Sequence, residues 1–142
     1  MIKTYGPGCR DCRFDVVQIA ALDEWPHALF PAHLLLCLDA RDVSAEVLGD
    51  LARRLLGGGL GAALFHGPDC ERVRDAFEAE ADGGVDLSAN EDARLADTLF
   101  TWAMFLPQES FAVPEVRTVT LVGQPETARD IHRWLPAFCA RL

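Results

Sequence analysis

Short apolar runs that alternate with helical repeats are the feature that most constrains the fold of this chain. The runs 33–39 and 60–66 are continuous and brief, which is the pattern of strands covered on both faces. Apolar residues at helical spacing follow each of them, over 47–56 and over 70–77. This strand, helix, strand, helix order predicts right-handed crossovers and a mainly parallel sheet.

Capping residues mark the ends of these two helices. Ser44 is a favourable N-cap for the first helix, and the three glycines at 57–59 end it. A Gly-Pro-Asp turn leads into the second helix, with Asp69 as its predicted cap. Cys70 lies on the apolar stripe of that helix, so we expect its side chain to pack inward.

Further elements are predicted on both sides of this central region. Residues typical of strands fill 14–20 and 116–122, the first of which we expect at an edge of the sheet. The sequence Ser-Ala-Asn-Glu at 88–91 matches a capping box and predicts the start of a third helix. The apolar stripe of that helix consists of Leu95, Leu99, Trp102 and Leu106. A last helix begins at 123–126 and ends before Pro136.

These elements predict a three-layer Rossmann-like α/β domain with a mainly parallel sheet of four to five strands and helices on both faces. A chain of 142 residues, half of them hydrophobic, suits one domain over 1–142, with 1–13 as an N-terminal lead-in. Its apolar runs are shorter than the roughly 20 residues of a membrane helix, and its start lacks a signal pattern. Five cysteines, an odd number, favour reduced thiols over a disulfide scaffold. We therefore expect a soluble, cytoplasmic protein.

Negative charge limits the partners of the chain. The formal charge is -9, and the segment 69–97 alone carries ten acidic residues and three arginines. Nucleic acids and anionic membranes would be repelled by such a surface. The acidic segment is interpreted as a solvated face that keeps the protein in solution.

Polar residues that directly follow predicted strands are candidates for a binding rim, because ligands of open α/β sheets bind at the carboxyl ends of strands. These candidates are Asp39, Asp42, His66 and Asp69, with Gly67, Gly123 and Gln124 beside them. Asp39 and Asp42 could hold a hard cation such as magnesium, or one of them could serve as a general base. Alternatively, Asp42 or Ser44 caps the helix and Asp39 only ends a strand.

Common catalytic motifs are absent from the sequence. The glycines at 57–61 lie between a helix and a strand, whereas a dinucleotide fingerprint lies between a strand and a helix. A Walker lysine motif, a G-x-S-x-G elbow and an H-E-x-x-H pair do not occur. The sequence therefore gives no assembled catalytic set.

Two cysteines, Cys9 and Cys12, form a C-x-x-C pair near the start of the chain. Such a pair can form a redox disulfide or supply half of a zinc site. His66 and Cys70 are the residues that could complete a tetrahedral zinc site, because thiolate and imidazole are the ligands of closed structural sites.

Two resemblances accompany these patterns. Met1 to Cys12, with its Gly-Pro-Gly-Cys-x-x-Cys, resembles the start of small thioredoxin-like redox proteins, in which a strand leads through this motif into a helix. That resemblance implies Cys9 as nucleophile and Cys12 as resolving thiol. Most of the chain is similar to a bacterial α/β domain family of unknown function, whose members carry an aromatic-Trp-Gly-x-Asp-Cys turn; residues 65–70 match this turn with His66 in place of the tryptophan. The second resemblance implies the fold and no activity.

The function favoured by these patterns is that of a small bacterial accessory or binding module without catalysis of its own. It would act through a protein partner or a small ligand at the rim and would need no cofactor. The alternative is a thiol site on Cys9 and Cys12, either a thiol-disulfide oxidoreductase or a structural zinc site. Trp25 and the apolar stretch 135–139 are candidates for contacts between copies of the chain.

Overall fold

A computed structural model of the chain describes residues 2–6, 13–91, 94–104 and 116–139. Its strands are β1 (Ile2–Tyr5), β2 (Arg13–Ile19), β3 (His33–Cys37), β4 (Ala62–His66), β5 (Asp86–Asn90) and β6 (Val116–Val122). They form one sheet in the order β1-β2-β6-β3-β4-β5. All neighbouring strands are parallel except β1, which pairs antiparallel with β2. The last strand of the chain, β6, is therefore inserted between β2 and β3.

Helices cover the two faces of this sheet. They are α1 (Ala45–Gly57), α2 (Cys70–Glu80), α3 (Leu95–Met104) and α4 (Pro125–Cys139), and a short 3-10 helix spans Leu22–Glu24. One core lies beneath α1 and α2, and the other lies beneath α3 and α4. Strand β3 divides its side chains between the two, because Leu34 and Leu36 belong to the first core and Leu35 and Cys37 to the second.

The three-layer α/β prediction is confirmed, with six strands where four to five were expected. The continuous apolar runs form the central strands β3 and β4, and the strands predicted at 14–20 and 116–122 are β2 and β6. Strand β2 is one position from the edge, because β1 pairs with its outer side. None of the helices within the described ranges is long and apolar enough to cross a membrane.

The third helix does not begin at the capping box, so that prediction is wrong. Residues 86–90 instead form β5, which pairs in parallel with β4. Leu87 and Ala89 are half-buried against the α1 and α2 core, whereas Ser88 is exposed. The alternation of period two and the open edge of β4 thus outweigh the local capping signal. Helix α3 begins at Leu95, and its predicted stripe is buried at Leu99 and Trp102, while Leu106 lies outside the described residues.

Pro136 does not end the last helix, as the sequence predicted, but lies inside it. A proline in this position removes one backbone hydrogen bond. The ring is exposed, while the preceding Leu135 is buried in the α3 and α4 core and anchors the final turns. Leu135 therefore packs in the core directly beside the position where the backbone hydrogen bond is lost.

Trp25 is buried against α1, so it is not the exposed contact that the sequence suggested. Only 3% of this residue is accessible, and its indole N–H donates to the Leu29 carbonyl oxygen over 3.0 Å. By packing in the core beneath α1 and α2, this side chain holds the connection between β2 and β3 against the sheet.

Candidate functional site

The carboxyl ends of the five parallel strands meet along one edge of the sheet. The chain leaves β3 toward α1 on one face, whereas it leaves the neighbouring β6 toward α4 on the opposite face. A crevice forms where adjacent connections diverge in this way, and it is the usual ligand site of open α/β sheets. The candidate site therefore lies between the ends of β3 and β6.

Backbone hydrogen bonds join the loops that follow β3 and β4. Leu38 N–H donates to the His66 carbonyl over 3.0 Å, and Ala40 N–H donates to Pro68 over 2.9 Å. Gly67 makes this approach feasible, since its φ is +119° and a Cβ there would collide with the carbonyl oxygen of Leu38. These two loops form one wall of the crevice.

Arg72 reinforces that wall from α2. Its guanidinium donates to the carbonyl oxygens of Ala40 and Val43, the latter over 2.7 Å. Its Nε also lies 3.4 Å from the Asp69 carboxylate. One arginine thus links the start of α2 to both ends of the loop that precedes α1.

Asp69 is not the capping residue that the sequence predicted. It precedes α2 at the N-cap position, but its φ of 64° is left-handed and its side chain makes no capping bond. A left-handed residue aims its carboxylate away from the free N–H groups of the first turn, and this carboxylate faces Arg72 instead. Glu91, after β5, accepts the Asp69 backbone N–H over 3.2 Å.

The loops after β2 and β6 form the opposite wall. Gly123 N–H donates to the Ile19 carbonyl over 2.8 Å, and Ala20 N–H donates to Glu24 Oε2 over 2.9 Å. The Gln124 side chain accepts a hydrogen bond from the Thr127 hydroxyl over 3.0 Å and so contacts the first turn of α4.

Between these walls lies a cavity of about 480 Å³, which we call the strand-end cleft. Its lining consists of Ala20, Ala21, Leu22, Asp23, Leu38, Asp39, Val43, Val47, Val122 and Gly123. Eight of these ten residues are apolar or glycine, and the other two carry carboxylates. The cleft is thus an apolar space with two acidic groups in its lining.

The two carboxylates differ in their partners. Asp39 accepts three hydrogen bonds from the Arg41 side chain, at 3.0 and 3.2 Å from Nε and at 2.6 Å from Nη2, and one from the Arg41 backbone N–H at 3.2 Å. The side-chain bonds first, and then the backbone bond, hold the pKa of Asp39 below its usual value. Asp23 is exposed, and no residue in the described part of the chain pairs with its carboxylate.

The predicted rim residues do not converge on one point. Asp39 lines the strand-end cleft, whereas Asp42 is exposed in the turn before α1, where Ser44 caps the helix by accepting Val47 N–H over 3.2 Å. His66 ends β4 on the side of α3, with its Nδ1 3.4 Å from the Thr98 hydroxyl. Burial lowers the pKa of His66 despite a hydrogen bond with the Asn90 backbone.

The thiol hypotheses rest mainly on Cys9 and Cys12, which lie outside the described residues. His66 and Cys70 both form hydrogen bonds with the backbone of Asn90, which places them near the same end of β5. Cys70 packs inward as predicted and is only 1% exposed, and burial is the first cause that raises its pKa. No metal-binding group of three or more His, Cys, Asp or Glu side chains occurs among the described residues. The residue after the motif begins strand β2, whereas a helix follows the motif in thioredoxin-like proteins.

Sequence reasoning missed the wall formed by Ala20 to Asp23. The predicted rim residues follow the strands at 33–39, 60–66 and 116–122, whereas Asp23 follows the strand at 14–20 by a few residues. Its acidic side chain so soon after a strand is the sequence signal for this wall. Comparison of the chain with models of protein families, with curated proteins and with solved structures finds no match.

Proposed function

We propose that this protein is a small bacterial binding module of the cytoplasm, without catalysis of its own, that holds a small ligand in the strand-end cleft. The observation that carries this proposal is an apolar cleft of about 480 Å³ at the point where the connections from β3 and β6 diverge. Clefts of roughly 300–1,000 Å³ with apolar walls and few polar groups are typical of small-molecule sites.

The walls of the cleft support binding because they are held in place before any ligand arrives. The loops after β3 and β4 are joined by backbone bonds and by Arg72, and the loops after β2 and β6 by the bond from Gly123 to Ile19. A site that is already ordered loses little conformational entropy when a ligand enters.

Asp39, one of the two carboxylates in the cleft lining, is poorly suited to act as a general base. A general base must reach the proton that it abstracts, and its lone pairs must be free to accept that proton. Asp39 already accepts four hydrogen bonds from Arg41, and its lowered pKa makes it a weak base. His66 interacts with Thr98 on the side of the sheet that faces α3.

The described free thiols, Cys37 and Cys70, are consistent with the reducing cytoplasm.

A blocking substitution tests the proposal directly. Ala21 is exposed and lines the cleft, so a tryptophan in its place should fill the space without disturbing a core. Ala79 is exposed near the far end of α2, at the opposite edge of the sheet, which makes Ala79→Trp a matched control. The neutral probe 2-phenylethanol should shift the backbone amide resonances of Leu38, Val43 and Gly123 in the wild type and in Ala79→Trp, but not in Ala21→Trp.

The natural ligand can be sought with the same three proteins. Small molecules that co-purify from bacterial cells would be released by denaturation and identified by mass spectrometry. We expect a compound that accompanies the wild type and Ala79→Trp and is lost from Ala21→Trp. If the amide shifts fall elsewhere on the protein, or persist in Ala21→Trp, the cleft is not the binding site.

A further inference from the structure

We propose that the ligand of the strand-end cleft is an amphipathic amine, with an apolar body and a cationic nitrogen paired with Asp23. This inference rests on the proposed function and specifies the chemical class of ligand for the same site. It derives from the charges around the cleft and from a second cavity that adjoins it.

Asp23 stands at the junction of two cavities. It lines the strand-end cleft together with Leu22 and Val47, and the same three residues line a neighbouring cavity of about 200 Å³ that extends along α1. The carboxylate has no partner within the described residues. A ligand in the cleft would therefore lie beside the Asp23 carboxylate, whose negative charge is not paired with any side chain in the described residues.

An anionic ligand is disfavoured at this position. The lining of the strand-end cleft contains no basic residue, and Arg41 in the loop after β3 is paired with Asp39. Arg54 lines the adjoining cavity, where its guanidinium donates to the Pro26 carbonyl oxygen over 3.0 Å and Asp50 shares the lining. Helix N-termini often bind phosphate through free N–H groups, but those beside the cleft are poorly suited to it. In α1 the cap Ser44 already accepts a backbone N–H and Glu46 adds negative charge, while α4 begins with Pro125, which has no N–H.

The apolar part of the lining requires an apolar body on the ligand. Leu22, Val43 and Val122 are partly or fully buried in the core beneath α1 and α2, and they present its edge to the cleft. Val47, in the first turn of α1, borders both cavities, and 43% of this apolar residue is exposed. Covering these side chains with an aliphatic or aromatic group would remove apolar surface from water.

Three probes of similar size separate charge from shape. They are phenethylamine, 2-phenylethanol and phenylacetate, which carry a positive charge, no charge and a negative charge on closely related bodies. Each would be titrated into the isotopically labelled protein while the amides of Leu38, Val43 and Gly123 are followed. We expect the amine to bind about two- to fivefold more tightly than the alcohol, as an exposed ion pair allows, and the carboxylate to bind most weakly.

Asp23→Asn should bring the amine to the affinity of the alcohol and leave the affinity of the alcohol unchanged. Asp42→Asn is the matched control, because Asp42 is an exposed carboxylate on the same edge that does not line the cleft. Equal binding of all three probes in the cleft would overturn the amine inference and leave the proposed function standing. Failure of all three to reach the cleft would overturn both.

Discussion

Single glycine residues determine how sharply the loops of this fold turn and how closely they approach one another. Gly67 and Gly59 both have φ angles that L side chains rarely adopt, +119° and +104°. They differ in their surroundings, because a Cβ on Gly67 would overlap the Leu38 carbonyl oxygen, whereas a Cβ on Gly59 would meet no atom within 4 Å. Glycine is thus needed at position 67 for two reasons, its backbone conformation and its close contact with Leu38, and at position 59 for its backbone conformation alone.

Substituting each glycine with alanine separates these requirements. Gly59→Ala should lower the free energy of unfolding by about 1–2 kcal/mol, the cost of a left-handed backbone. Gly67→Ala should lower it by about 3 kcal/mol or more, because the loops after β3 and β4 must also move apart. Urea denaturation followed by circular dichroism measures both. Equal losses in the two variants would show that the contact with Leu38 has no energetic weight.

Helices α1 and α2 have similar positions after consecutive strands, but they begin in different ways. Ser44 has an extended backbone and its hydroxyl caps α1, whereas Asp69 is left-handed and leaves α2 without a side-chain cap. The start of α2 is held instead by Arg72 and by Glu91. Residue type alone made Ser44 and Asp69 look equivalent in the sequence, because both are favourable caps.

The two helix starts should therefore respond differently to removal of the capping group. Ser44→Ala should reduce the free energy of unfolding by about 1 kcal/mol, the usual loss of a cap. Asp69→Asn keeps a residue that tolerates the left-handed backbone and removes an exposed ion pair, so it should cost about half as much or less. Thermal and urea unfolding would compare the two. A loss in Asp69→Asn as large as that in Ser44→Ala would mean that the carboxylate does stabilise the start of α2.

Three histidines in different parts of the molecule are partly buried in a way that penalises their charged form. Burial is the main cause that lowers the pKa of His33, His66 and His132. Arg117 adds to the effect at His33, and Lys3 adds to it at His132. His132 also shares a hydrogen bond of 2.6 Å with the Tyr5 hydroxyl, which links α4 to β1. We therefore expect the stability of the fold to depend on the protonation of these three histidines.

Stability should decrease as the pH falls below the ordinary histidine pKa of 6.5. Each lowered pKa means that the unfolded chain binds a proton at a pH where the folded protein does not, so acid favours unfolding until the folded pKa is passed. Urea denaturation between pH 7.5 and pH 5.5, in salt that screens the net negative charge, would measure this slope. His66→Gln should make the slope shallower. A free energy of unfolding that rises as the pH falls would contradict the expectation.

The sequence by itself determined the elements whose signal is local. Strands β3 and β4 were evident from continuous apolar runs, and α1 and α2 from apolar residues at helical spacing, because side-chain periodicity is set by the backbone geometry of each element. The buried position of Cys70 followed from the same periodicity. The alternation of strands and helices was enough to establish the three-layer class.

Only the tertiary structure decided the order of the strands and the composition of the cleft. Residues 88–90 pair with β4 as a strand and do not begin a helix, although their sequence matches a capping box. The insertion of β6 between β2 and β3 depends on contacts between residues far apart in the sequence. That insertion creates the point where the connections diverge, and it brings Asp23 and Asp39 into the lining of one cleft. Local patterns specify which face of an element is apolar, but they do not specify which element covers it, and the site exists only where distant loops meet.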